Sequence, residues 1–275
     1  MPFIESAIRF FDEHYQYRLN QQTGNRLDEN GHLVIYPSTA VETFKNAKNP
    51  TDVIAGLIAV LQQMLDLPEE LASAAKKREW LGILNRVPPL SFEKIDGKRT
   101  IAPAESWSHV QNVEIPQLYP LFPFRLYGFG RPDLQTAINT WRISVYHDQH
   151  KGHVSWHQGN IFTALLGLTE EAADFAIKKL SDGPHRFPAF WGPGHDWTPD
   201  HNWGGTGMIG LQEMLMQTNG KAIYLFPAWP DNWDVEFKLH APFKTTVKGS
   251  YQNGKVKIEE VYPKERIRDI INMKA

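Results

Sequence analysis

Between Phe187 and Trp203 the chain gathers two carboxylates, Asp196 and Asp200, two imidazoles, His195 and His201, and three indoles, Trp191, Trp197 and Trp203. Carboxylates move protons and bind hydroxyls, while flat rings stack on the C–H face of a pyranose. The mixture therefore suits a sugar site. An aromatic-rich loop that merely caps a helical core accounts for the same residues. Beyond it, Gly204 and Gly205 let the backbone turn closely, and Met208, Leu211, Leu215 and Met216 recur at three- and four-residue spacing. That spacing predicts a helix with one buried face, which would hold the end of the loop in place.

Three other stretches carry chemistry-bearing side chains. Glu42 lies between Val41 and Phe44 in a predicted loop, where apolar neighbours would raise its pKa; a lone loop glutamate is otherwise a solvated or capping residue. From Glu114 to Phe124 the prolines Pro116, Pro120 and Pro123 prevent a regular element, so Glu114, Gln117 and Tyr119 are expected in an irregular connection. His147, His150, His153 and His157 invite a metal reading and a metal-dependent hydrolase. No HExxH and no acidic partner at a familiar spacing accompanies them, so the alternative is a polar loop rimming a cleft, and no metal site is assigned.

The elements that must position these groups are mostly helical. Ile4, Ile8, Phe11, Tyr15 and Leu19 trace one face of a first helix that begins without a cap. That start leads to the expectation that the chain is a truncated piece of something longer. Asn49-Pro50 opens a second helix and Pro68-Glu69-Glu70 a third, and four more are read after Arg131, Trp156, Leu168 and Trp203. Asp96-Gly97 predicts a hairpin. After residue 218 the period changes to two, with strands at 222–226, 235–239, 245–247 and 255–258 and a tight turn at Asn253-Gly254. The expected organisation is an α-helical domain over 1–218 and a small β domain over 219–275.

Composition excludes several classes. With 41% hydrophobic and 22% charged residues the chain reads as ordinary globular protein. A net charge of −2, with no clustering of Lys and Arg, argues against nucleic acid as a partner. The absence of cysteine excludes disulfides and thiol nucleophiles. The longest apolar run, Val53 to Leu61, is too short to insert in a membrane, and no export signal is visible. Apolar helix faces left open would favour self-association.

Several strings resemble glycoside hydrolase family 95, the α-L-fucosidases and α-L-galactosidases, and its bacterial relatives. Asp200-His201-Asn202-Trp203-Gly204 is similar to that family's Asp-Gly-Asn-Phe-Gly, and Ala40-Val41-Glu42-Thr43 to its Ser-Pro-Glu-Asn. Asn112 to Pro123 is similar to its His-rich run, with Glu114 and Gln117 where histidines are expected. Trp156 resembles the tryptophan of its Gly-Trp-Ser segment, from which His157 and Gln158 depart. The resemblance implies the C-terminal part of an (α/α)6 barrel, a six-hairpin toroid, followed by a short antiparallel β domain. It implies an inverting glycosidase of carbohydrate metabolism without a cofactor, acting on α-linked fucose- or galactose-type oligosaccharides or polysaccharides. Glu42 would then be the general acid and Asp200 the base, with Glu114 in reserve. Glu114, Gln117, Tyr119, Trp156, His157, Gln158, Trp191, Asp196, Trp197, His201, Asn202 and Trp203 would contact sugar. The family's water-positioning asparagines would fall upstream of Met1, which implies reduced activity, and full-length members suggest a periplasmic or secreted location. A binding protein that has kept the aromatic cleft and lost the chemistry is the alternative.

Overall fold

The computed structural model describes residues 2–144, 151–181 and 201–274. Its contacts divide the chain into two compact units, Met1–Leu126 with Asn139–Tyr146, and Tyr127–Ile138 with His147–Ala275. Helices are joined by small sheets whose pairings are antiparallel in all but one case among the described residues.

In the first unit, α1 (Pro2–Thr23), α2 (Thr51–Leu65) and α3 (Ala74–Leu84) share a core. Ile54, Leu57, Leu61 and Met64 give α2 its buried stripe, and Leu33 and Ile35 from the preceding loop pack on the same cluster. Asp12 of α1 is buried and takes a bidentate pair from Arg86, Nε to Oδ1 at 2.8 Å and Nη2 to Oδ2 at 2.7 Å. The third helix begins later than proline placement predicts. Pro68 heads a turn, its carbonyl accepting from Leu71 and Ala72 N–H, and Ser73 caps the helix by accepting from Lys76 N–H.

The start of α2 is pinned to its surroundings. Asn49 accepts Ile35 N–H on Oδ1 at 2.8 Å and donates its own N–H to the Ile35 carbonyl at 3.0 Å. Thr51 donates its hydroxyl to the Ala102 carbonyl at 2.6 Å and its N–H to the Pro103 carbonyl at 2.9 Å. Strands β1 (Ser38–Ala40), β2 (Phe44–Ala47) and β5 (His109–Val110) form one antiparallel sheet, and β3 (Phe92–Ile95) and β4 (Lys98–Ile101) form a hairpin. Its turn residues, Asp96 and Gly97, both have positive φ, the geometry Asp-Gly predicts.

The second unit holds α5 (Gly159–Leu165), α6 (Thr169–Leu180) and α7 (His201–Leu215); α4 (Leu134–Asn139) precedes them. After α7 come β6 (Met216–Asn219), β7 (Ala222–Leu225), β8 (Val235–Ala241), β9 (Thr245–Gln252), β10 (Lys255–Tyr262) and β11 (Ile270–Asn272). The strands β8, β9 and β10 make an antiparallel meander turned at Asn253-Gly254. The last strand, β11, runs parallel to β7 on the opposite side from β6. Helices and strands share one core, where Ala164, Ala172, Ala176 and Met214 meet Ile223, Leu225, Phe226 and Val247.

The seventh helix faces its core differently from the expectation. Met208 is 59% exposed, while Trp203, Gly207, Gly210, Met214 and Leu215 are buried. Glycine explains the rotation. A Cβ on Gly210 would lie 2.1 Å from Asn160 Nδ2, and one on Gly207 3.0 Å from Leu180, so the bare backbone face brings α7 against α5 and α6. Expectations from side-chain periodicity alone place such glycines outside.

Candidate active site

In the first unit the residues around Glu42 and Glu114 come together. Val41, Glu42 and Thr43 form the turn between β1 and β2, closed by Thr43 N–H donating to the Ala40 carbonyl at 3.3 Å. Thr43 is fully buried; its hydroxyl donates to Glu114 Oε2 at 2.5 Å and accepts Glu114 N–H at 3.1 Å. Gln111 N–H donates to the Thr43 carbonyl at 2.9 Å, and Asn112 Nδ2 reaches Glu42 Oε2 at 3.4 Å. The two segments, some seventy residues apart in the chain, thus form one hydrogen-bonded patch carrying two carboxylates.

The apolar surroundings expected for Glu42 are not found. Its side chain is exposed, because Phe44 turns fully inward against Ala40, Ala47, Ala104 and Trp107 and leaves Glu42 at the turn's tip. The desolvated carboxyl is instead Asp52, in the first turn of α2. Burial pushes its pKa up to about 6, against the opposing pull of the N–H groups of Val41, Asp52 and Val53. Its Oδ2 accepts Val41 N–H at 3.1 Å, and its Oδ1 is inaccessible and without a hydrogen-bond partner among the described residues. Nothing in the sequence marked Asp52, since an acid in a first helical turn ordinarily answers the helix dipole.

Gln117 and Tyr119 sit on the short 3-10 turn Pro116–Leu118 and its end, as the prolines predict. Gln117 is buried, with Oε1 unpartnered among the described residues. Burial, helped by the charges of Glu114 and Asp52, pushes the Tyr119 hydroxyl up to about 12, so it stays a phenol. Asp52 and Tyr119 are among the residues that line an apolar cavity of about 470 Å³ between α1 and α2, with Ile4, Ile8, Phe11 and Val53.

In the second unit Trp156 and His157 stack, ring centroids 5.2 Å apart at 24°, in the turn ahead of Gln158, the residue that precedes α5. Their loop is organised by a buried lysine the sequence did not single out. Lys179 Nζ donates to the carbonyls of His153 at 2.8 Å and of Ser155 and His157 at 2.9 Å. His157 Nδ1 lies 2.9 Å from the Val154 carbonyl, and burial, with the charges of Lys179 and Lys178, pushes the His153 imidazole below its ordinary pKa. Among the described residues no three such groups converge as metal ligands. His201 and Asn202 are exposed in the first turn of α7, where a loop was expected, and the buried Trp203 donates Nε1–H to the Lys179 carbonyl at 2.6 Å.

The chain matches no family model and no curated protein. Trp191, Asp196, Trp197 and Asp200, with His147 and His150, lie outside the described residues. No helix among the described residues is long and apolar enough to cross a membrane.

Proposed function

We propose that the chain is a glycoside hydrolase of the inverting, two-carboxylate type, acting on α-linked sugars of the fucose or galactose kind. In this reading its helices belong to an α/α barrel followed by a β domain. One observation carries the proposal. The two segments likened to a glycosidase's acid loop and sugar-contacting run, around Glu42 and from Asn112 to Tyr119, are hydrogen-bonded to each other through Thr43. Inverting hydrolysis needs a carboxylic acid that protonates the leaving oxygen and a carboxylate that activates water on the opposite face. Glu42, exposed at the tip of its turn, is the proton donor; the bound sugar then supplies the desolvation that its own neighbours do not. Asp200 is the base, with Glu114 the second candidate. Asn112 and Thr43 orient the two glutamates.

The test uses α-L-fucosyl and α-galactosyl disaccharides, whose alkoxide leaving groups need protonation. Glu42→Gln is expected to lower turnover by about 10²–10⁴-fold on these and much less on an aryl glycoside, whose leaving group departs unprotonated. Equal losses on both substrates, or none, would remove Glu42 as the acid. The exposure of Glu42 also favours a second reading, a sugar-binding protein without chemistry; it predicts disaccharide binding by calorimetry in both wild type and Glu42→Gln, with turnover in neither.

A further inference from the structure

The residue immediately before Glu42 is held in a conformation that its side chain opposes. Val41 has φ +43°, in the left-handed region that a β-branched residue ordinarily avoids because Cβ crowds the backbone. A non-glycine residue persists there only when its surroundings over-determine it. Two hydrogen bonds flank the strained residue. Thr43 N–H closes the turn onto the Ala40 carbonyl at 3.3 Å, a long bond, while Val41 N–H points into the protein and meets Asp52 Oδ2 at 3.1 Å.

Asp52 is itself well fixed for that task. It follows Thr51, whose hydroxyl and N–H are both anchored on the 102–103 backbone, and it stands on a helix whose stripe is sunk in the core. Of the N–H groups that favour its carboxylate, those of Asp52 and Val53 belong to its own helix, and that of Val41, at 3.1 Å from Oδ2, belongs to the turn. On the other side of the turn, Gln111 and Glu114 hold Thr43 and Asn112 reaches Glu42. The turn is thus gripped at both ends with Glu42 between.

We propose that Asp52 is a positioning residue: by binding Val41 N–H it clamps the turn in its strained form and aims Glu42 toward Asn112 and Glu114. The inference rests on the reading of Glu42 as a functional group, but the clamp can be measured without any substrate. In Asp52→Ala the Thr43 amide is expected to exchange with solvent roughly tenfold faster or more, because a charge-assisted hydrogen bond is lost. Adding Val41→Gly should return it to within about threefold of wild type, since glycine adopts this φ without a Cβ penalty. On an α-linked disaccharide, turnover should fall about 10²-fold in Asp52→Ala and recover in the double variant, as expected for misplacement of a reacting group. An unchanged Thr43 amide in Asp52→Ala, or a double variant exchanging as fast as the single one, overturns the clamp. Should Asp52→Ala not fold, Asp52→Asn offers an amide oxygen to the same N–H and must fold with a slow Thr43 amide; a fast one contradicts the proposal. If wild type hydrolyses no glycoside, the hydrolase reading fails and amide exchange still decides the clamp.

Discussion

Asp52 makes a pH signature that can be assigned to one side chain. Its folded-state pKa of about 6 lies above the ordinary aspartate value of 3.8. Below about pH 4 both folded and unfolded chains carry its proton. Between about 4 and 6 the folded protein retains a proton the unfolded chain has released, so stability falls as pH rises, and above about 6 the loss is complete. A gap of that size between the folded and unfolded values amounts to about 3 kcal/mol. Asp52→Asn does not titrate, so the difference between wild type and variant in urea denaturation should change by about that amount from pH 4 to pH 7, in the variant's favour. A difference that stays constant with pH would contradict a desolvated Asp52. At this scale the irregular connection that carries Glu114, Gln117 and Tyr119 was legible, because its three prolines bar a regular element. The exposure of Glu42 was not, since sequence neighbours do not say which way a turn points its tip. Asp52 was hidden for a related reason: the cavity it lines is shared with Tyr119 and residues of α1, both remote in the chain.

Elements were legible where a local rule governs them and misread where a neighbour does. The turns at Asp96-Gly97 and Asn253-Gly254 follow from residues that tolerate positive φ. The exposed Met208 does not follow from periodicity, because Gly207 and Gly210 form the contact face of α7. The parallel strand β11 is a long-range pairing without a turn to announce it. Lys179 belongs here too, for it joins α6 to the loop of Trp156 and His157 and reads in sequence as one of two lysines closing a helix. In the structure it is fully buried and serves the carbonyls of His153, Ser155 and His157. Lys179→Met removes those three hydrogen bonds, a cost partly offset by no longer burying an ammonium; the net loss should be roughly 2–4 kcal/mol. Chemical denaturation of the variant checks this, and a stability within about 0.5 kcal/mol of wild type would show that the loop does not depend on the lysine.

For the molecule as a whole, the helix-rich build with small sheets was expected, and each of the two units carries its own hydrophobic core. The sharing of one core by α5, α6, α7 and the C-terminal strands was not legible, because a change of period from helix to strand marks a change of element and says nothing about which elements pack together. The proposed hydrolysis requires two carboxylates to act on opposite faces of one sugar ring. Proton NMR of the anomeric region during hydrolysis of an α-linked disaccharide reads this directly, provided spectra are taken before the released sugar mutarotates. With inversion, the β-anomer is expected to appear first. Release of the α-anomer first would require a nucleophile and a covalent intermediate, and that result, or no sugar released at all, would contradict the two-carboxylate claim.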